Sequence, residues 1–484
     1  MKKHKIKKQE VHKVHEIDNW QDFIFLKRDL IYAAILTFAI LVIYLLFPCK
    51  FFFFDGLMYA SIVEAKDPGW QRSLAWANHL SFNYYGHIFW RLLKYIGIEK
   101  DGYSALQIMN SFFGAITCGV FFLFLRKLIE KIYLSVIFSL ILAFSYTFWY
   151  RSVDAQVYPP SIFWLTVSFI LSWSYIRQKS KLKLVVLSVT SGLAVLAHQG
   201  NIFFLPTVIA AIFLSGRKSM KNLFTFILLI GFIVGIPYLH VLTYQEKTLI
   251  DRNTGRFAIN ETTIKNSFYW LRGNAGDYTP DDEKYVNSYW QPPKLKELSI
   301  SKTIGQNLKD SNLKHLITNF EMMVWAMWYG KGRYSCAYGY PGKQFWPAVS
   351  KIIFLSMGLF LFFRMKIYQK YKNIFIIIIT WWLTYLIFVT WFNSGNTDYW
   401  YQHWMPILTL FACSICEFLK DENISLLLRK TTLGLFLCSV VIIPTVNFFD
   451  SIYPISIAEN NDNYIRALFV KKYVKKGGVV IISN

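Results

Sequence analysis

Residues 30–60 read LIYAAILTFAILVIYLLFPCKFFFFDGLMYA, and from Leu30 to Phe47 none of them is charged. A helix rises 1.5 Å per residue, so about 20 apolar residues cross a hydrocarbon core of roughly 30 Å, and this run predicts a transmembrane span. Four phenylalanines follow, then Asp55 and Gly56. A carboxylate is thereby set where the chain leaves the bilayer, at the depth of a lipid phosphate, with a glycine leaving room beside it. Before the run the chain is polar and basic for almost thirty residues, beginning MKKHKIKKQEVHKVHEIDNW. A secretory signal brings its apolar core sooner and closes on a small-residue cleavage site. Neither is seen, so the run reads as a retained first span behind a cytoplasmic segment, residues 1–29.

The rest of the chain repeats the pattern. Of its 484 residues 54% are hydrophobic, 19% aromatic and only 17% charged, where a soluble domain carries about 25% charged residues. The expectation is an all-α, polytopic bundle of about eleven spans: 30–48, 104–125, 132–149, 157–176, 183–198, 201–214, 222–243, 345–363, 373–392, 403–419 and 431–449. Alternate loops are rich in Lys and Arg: Arg126–Lys131, Arg177–Lys183, Ser215–Lys221, Arg364–Lys372 and Lys420–Lys430. The short loops between them hold Arg151, then no basic residue in His198–Asn201 or Asn393–Gln402. By the positive-inside rule the N-terminus is cytoplasmic, and the chain is a multi-pass protein of the plasma membrane.

Leu316–Tyr329 is apolar but short and holds Glu321. A span there would reverse every later loop, so it reads as an interfacial or re-entrant helix. The organisation is then a membrane module over 30–243 with a long outer loop 50–103, an outer region 244–344, C-terminal spans over 345–449 and a short outer tail 450–484. The tail ends VKKYVKKGGVVIISN, which reads as a helix, a Gly-Gly turn and the opening of a strand. The net charge of +23 comes without a basic face or recognition motif, so nucleic acid is not expected as a partner. Cys413 and Cys416, inside an apolar run, read as small buried side chains. Cys49 and Cys336 both fall outside, which leaves a disulfide open.

The candidate chemical groups lie at outer span ends. Asp55 comes first, with Glu64 and Asp67 in the same loop. Asp154 lies in SYTFWYRSVDAQVYPPS, a very short loop, flanked by Arg151 and Tyr158. A bland alternative is an Arg151–Asp154 pair beside Pro159 and Pro160 starting the next helix. His79 lies in WANHLSFNYYGHIFWRLL with His87 and Arg91, His198 in LAVLAHQGNIFFLP with Gln199, and His403 in NTDYWYQHWMP. Ionisable groups in and beside membranes are functional candidates by default, although polar residues at span ends also serve as interfacial anchors. Lys331 and Arg333 in GKGRYSCAYGYPG suit a lipid phosphate. No nucleotide-binding, HExxH or GxSxG context occurs, so ATP-driven transport has no support.

An acid just after the first span, a long first outer loop and an acid in a very short second loop resembles the GT-C superfamily of membrane glycosyltransferases. The likeness is closest to the bacterial branch related to protein O-mannosyltransferases. DGLMYA, NHLSFNYYGHIFWRLL, QIMNSFFGAI, SYTFWYRSVDAQVYPPS and AVLAHQGNIFFLP carry it, over roughly residues 50 to 206. The resemblance implies an outward-facing active site, a sugar donor on polyprenyl phosphate and inversion at the anomeric carbon. Asp55 resembles the family's first-loop catalytic acid, and Asp154 its second acidic site, where Glu is commoner. Asp55–Gly56 stands where mannosyltransferases carry Asp-Glu, and the usual C-terminal soluble part is nearly absent.

On this reading Asp55 is general base toward an acceptor hydroxyl on a protein, lipid or glycan. His79, Arg91, Arg151 or a divalent cation held by Asp55 and Asp154, Mg or Mn, would stabilise the leaving phosphate. Tyr158, His198, Gln199, Arg333 and His403 complete the expected substrate-binding set. The alternatives are a transporter or lipid flippase, which wants charges near the midplane and paired halves, and a non-catalytic envelope assembly protein.

Overall fold

The computed structural model describes residues 25–52, 54–64, 74–216, 219–245, 345–392 and 400–461, with short pieces between 247 and 328. Among these residues the elements are helical, apart from one antiparallel bridge between Ile250 and Phe257. The principal helices are α1 (Lys27–Leu46), α2 (Phe54–Glu64), α3 (Phe82–Tyr95), α4 (Gly102–Ile129), α5 (Ile132–Ala143), α6 (Tyr146–Ser152) and α7 (Tyr158–Arg177). They continue as α8 (Lys181–Ala197), α9 (Leu205–Leu214), α10 (Ser219–Ile230), α11 (Phe345–Arg364), α12 (Lys372–Phe392), α13 (Trp404–Lys420) and α14 (Leu426–Asn447).

Helix α4 is the axle: α1, α2, α3, α5, α6, α7 and α13 all pack on it. Small residues let them close in. A Cβ at Gly119 would run into Thr37 of α1, so a glycine is what allows these two helices to touch along their backbones. The basic loops gather at one end of the bundle. There Arg126 pairs with Asp29 at 3.2 Å, and Cys416 donates to Ile129 O. The acid-bearing loops gather at the other end, where Tyr44 donates to Ala143 O at 2.6 Å and Lys50 N to Ile455 O at 2.7 Å.

Among the described residues four helices are long and apolar enough to cross a membrane: Lys27–Leu46, Gly102–Ile129, Ser219–Tyr244 and Leu426–Ile455. The segment read as one span over 132–149 is α5 and α6, bent by 68°. Ser145 takes an extended conformation there, and the Asn447 amide of the last long helix donates at 2.8 Å to the Phe144 carbonyl released by the break. A break that frees a backbone acceptor needs such a partner when buried. The remaining expected spans are helical without meeting length and apolarity together.

The segment 50–103, read as a loop, is also largely helical where described, with α2 and α3 packed on each other and on α4. In Leu316–Tyr329, the described residues Met323, Val324, Ala326, Met327 and Trp328 are buried. Trp328 donates to Ser350 at 3.0 Å and Trp404 to Met323 O at 2.8 Å. These five residues are therefore packed in the core, as a re-entrant segment allows. Cys413 and Cys416 are buried free thiols, as small apolar side chains are, and Cys49 is buried as well; Cys336 and the end of the tail lie outside the described residues.

Candidate functional site

The first turns of α4 organise the acid end. Tyr103, Gln107, Asn110 and Ser111 form a polar stripe at helical spacing in an otherwise apolar helix. Gln107 Nε2 donates to Cys49 O at 2.6 Å and to Val153 O at 3.1 Å, while Cys49 N donates to Val153 O at 2.9 Å. Asn110 Nδ2 donates to the carbonyls of Asp154 and Gln156, and Ser111 Oγ to that of Ser152. One helix thus laces the segment leaving α1 to the short loop of Asp154. Sequence reading missed this stripe, although polar residues at positions 103, 107, 110 and 111 were a visible signal.

The two aspartates flank that seam in different environments. A Cβ at Gly56 would lie 2.9 Å from Ala155 O and 2.9 Å from Tyr103 Cε2. Successive Cα atoms are 3.8 Å apart, so Asp55 and Asp154, each one residue from this contact, have Cα atoms within roughly 14 Å. Asp55 sits in the first turn of α2 and is exposed. Asp154 is 0% exposed. Its Oδ1 accepts from Tyr103 at 2.9 Å and from Ala155 N at 2.8 Å, and its Oδ2 from Arg151 at 2.9 Å. Burial raises the Asp154 carboxyl above its ordinary range, against the pull of Arg151 and the other donors. The bland expectation of an Arg151–Asp154 pair is what forms. Arg151 also lies over the Tyr150 and Tyr158 rings, at 4.8 and 5.7 Å.

A second cluster adjoins the first. Tyr158 packs on His198, ring centroids 5.6 Å apart. The Asn78–Gln199 side-chain bond, 2.6 Å, clasps the 77–79 turn to the 199–204 turn. His79 is 3% exposed, boxed by Trp76, Tyr59 and Phe82, with Nε2 3.0 Å from the Tyr59 hydroxyl. Burial lowers His79 to a pKa of about 3, helped by neighbouring His198, so the His79 ring is neutral at pH 7. His403 is fully buried between Tyr385 and Trp400, and Tyr385 donates at 2.6 Å to Asn201 in the 199–204 turn.

Not every expected residue joins. Arg91 is exposed near the end of α3, nine residues past Phe82, which is about 13.5 Å along the helix and away from the Asp55 end. Glu64 accepts from Gly102 N and fastens α2 to the start of α4. Arg333, Lys331 and Asp67 lie outside the described residues. The donors do not fit a divalent cation shared by Asp55 and Asp154, because a guanidinium and two N–H or O–H donors already take both oxygens of Asp154. Among the described residues no group of three His, Cys, Asp or Glu could hold a metal.

The seam makes a direct prediction. Gly56→Ala pushes a methyl against a backbone carbonyl that cannot swing aside, so it is expected to cost about 1–3 kcal/mol in thermal or denaturant melts. Unchanged melting would mean that the two loops are not in contact.

A family model described as the protein O-mannosyl-transferase TMEM260 N-terminal domain matches residues 82–222. No curated protein matches the chain. The matched stretch holds Arg151, Asp154, Tyr158, His198 and Gln199, and Asp55 and His79 precede it. Over those residues the chain is similar to a protein O-mannosyltransferase domain, in keeping with a glycosyltransferase-like membrane protein.

Proposed function

We propose that the chain is a GT-C type glycosyltransferase of the plasma membrane, with about eleven spans, that works at the extracytoplasmic face. It moves a sugar from a polyprenyl-phosphate donor to an acceptor hydroxyl. The observation that carries this reading is the Gly56–Ala155 contact. It sets an exposed carboxylate beside a buried Asp154–Arg151 pair, and that pair lies inside the stretch similar to an O-mannosyltransferase domain.

The two acids then have different tasks. Asp55 is general base: it takes the acceptor proton as the acceptor oxygen bonds to the anomeric carbon. The bond from that carbon to the phosphate oxygen breaks, and polyprenyl phosphate leaves with the electron pair. Asp154, with no solvent access and three donors, is a positioning residue that aims Arg151. The planar fork of a guanidinium suits the departing phosphate. His79, His198, Gln199 and Tyr158 border the sugar. His403, one layer back, supports the 199–204 turn through Tyr385 and Asn201.

Purified protein in lipid nanodiscs, given labelled polyprenyl-phosphate sugars with and without EDTA, tests the proposal. Transfer is expected, and it is expected to persist in EDTA because Arg151 holds the carboxylate a cation would need. A folded protein that transfers from no polyprenyl-phosphate sugar would overturn the reading.

A further inference from the structure

Four polar atoms buried in one layer of the bundle have no hydrogen-bond partner among the described residues: His79 Nδ1, Asn83 Oδ1 and Nδ2, and Asn110 Oδ1. His79 is 3% exposed, and Asn83 and Asn110 are 0% exposed. Helix register brings them together. Helices α3 and α4 run antiparallel, with Trp90 donating to Lys100 O at 3.1 Å and Gly86 pressed against Leu106. Asn83, one turn before Gly86, is therefore level with Met109 and Asn110. His79 lies one turn before Asn83, its ring 5.9 Å from that of Phe82. The other amide atom of Asn110 holds the Asp154 and Gln156 carbonyls, so the layer borders the proposed reaction centre.

Buried polar groups are nearly always hydrogen-bonded, and a cluster without partners points to something that supplies them. The chemistry of the cluster narrows what that is. The Asn83 amide brings two donors and an acceptor, Asn110 brings an acceptor, and a neutral imidazole bonded through Nε2 brings one donor or one acceptor at Nδ1. A phosphate would want donors only, and a metal acceptors only. Adjacent hydroxyl groups, each both donor and acceptor, match the mixture. Trp76, stacked on His79 at 6.2 Å with the planes 7° apart, adds an amphipathic aromatic wall of the kind that packs well against a ring with apolar edges.

We infer that this layer is the sugar subsite: His79 Nδ1, the Asn83 carboxamide and Asn110 Oδ1 read the hydroxyls of the hexose carried by the lipid donor. The inference rests on the donor chemistry proposed above. It adds Asn83 and Asn110 to the substrate contacts, and it assigns them to the sugar and not to the phosphate or the acceptor.

The test compares binding of a polyprenyl-phosphate hexose with binding of bare polyprenyl phosphate, in nanodiscs, beside a melting curve of the ligand-free protein. Wild type is expected to prefer the hexosyl lipid. A site built to hydrogen-bond a hydroxyl discriminates by large factors, so Asn83→Leu is expected to reduce that preference by about 10²-fold or more. The same variant is expected to melt at or above wild type, because it removes a buried amide without partners. His79→Phe keeps the aromatic box and should also lose the preference, which gives a second reading if Asn83→Leu fails to fold. An Asn83→Leu that melts clearly below wild type, or variants that keep the hexose preference, would overturn the subsite. So would loss of binding to a glycosylated acceptor with donor preference intact. A wild type that binds neither lipid would bring down the parent reading instead.

Discussion

Asp55→Asn is expected to cut sugar transfer by about 10²–10⁴-fold, the usual contribution of a general base, while the protein inserts as wild type does and melts close to it. The substitution keeps the size and hydrogen-bonding outline of the side chain and removes its ability to take a proton. Asp55 is exposed in the first turn of α2, where removing an acid's charge costs about 0.3–1 kcal/mol through the helix dipole, small beside the loss in rate. Rate measured against melting temperature therefore separates chemistry from folding. Full transfer by the variant would remove the base from the mechanism.

Asp154→Ala should behave in the opposite way, with the larger effect in stability. Its carboxylate is buried, and three donors converge on it. Taking away one side of a buried ion pair leaves the other charge unpaired in low dielectric, at a cost of about 3–5 kcal/mol. Replacing both partners, Arg151→Met with Asp154→Leu, should recover most of that loss, since an apolar pair of similar volume is often as stable as a buried salt bridge. Transfer should stay lost in the double variant, because no guanidinium then meets the departing phosphate. A double variant as unstable as Asp154→Ala would show that packing, not charge, dominates the seam.

Hydropathy made the long helices legible. The run from Leu30 to Phe47 and the Asp101-capped helix from Gly102 stand where an apolar stretch of the right length sits between polar ends. It could not reveal the bend at Phe144–Ser145, because a broken apolar helix has the same composition as a straight one and the stabilising Asn447 amide comes from 303 residues away. It likewise read 50–103 as a loop, since α2 and α3, with 11 and 14 residues, are too short to register as spans.

Of the pairings around the candidate residues, the sequence suggested Arg151–Asp154 and not the others. Asp55 and Asp154 were visible as isolated acids at span ends. That one is exposed and the other clamped follows from α4, whose polar stripe becomes meaningful only when two loops arrive on it. Arg91 looked equivalent to its neighbours in WANHLSFNYYGHIFWRLL, but α3 carries it a turn and more beyond the groups around His79.

The connector leading from α1 to Asp55 is fastened by residues some four hundred positions further along the chain. Lys50 N reaches Ile455 O, and the Asn461 amide reaches Lys50 O, across 411 positions for the second bond. During synthesis the ribosome delivers the Asp55 carboxylate about 20–80 s before these anchors, at about 5–20 residues per second. The nascent N-terminal half can therefore lodge in lipid before this connector is fixed in place, which happens only when the segment holding Ile455 and Asn461 docks.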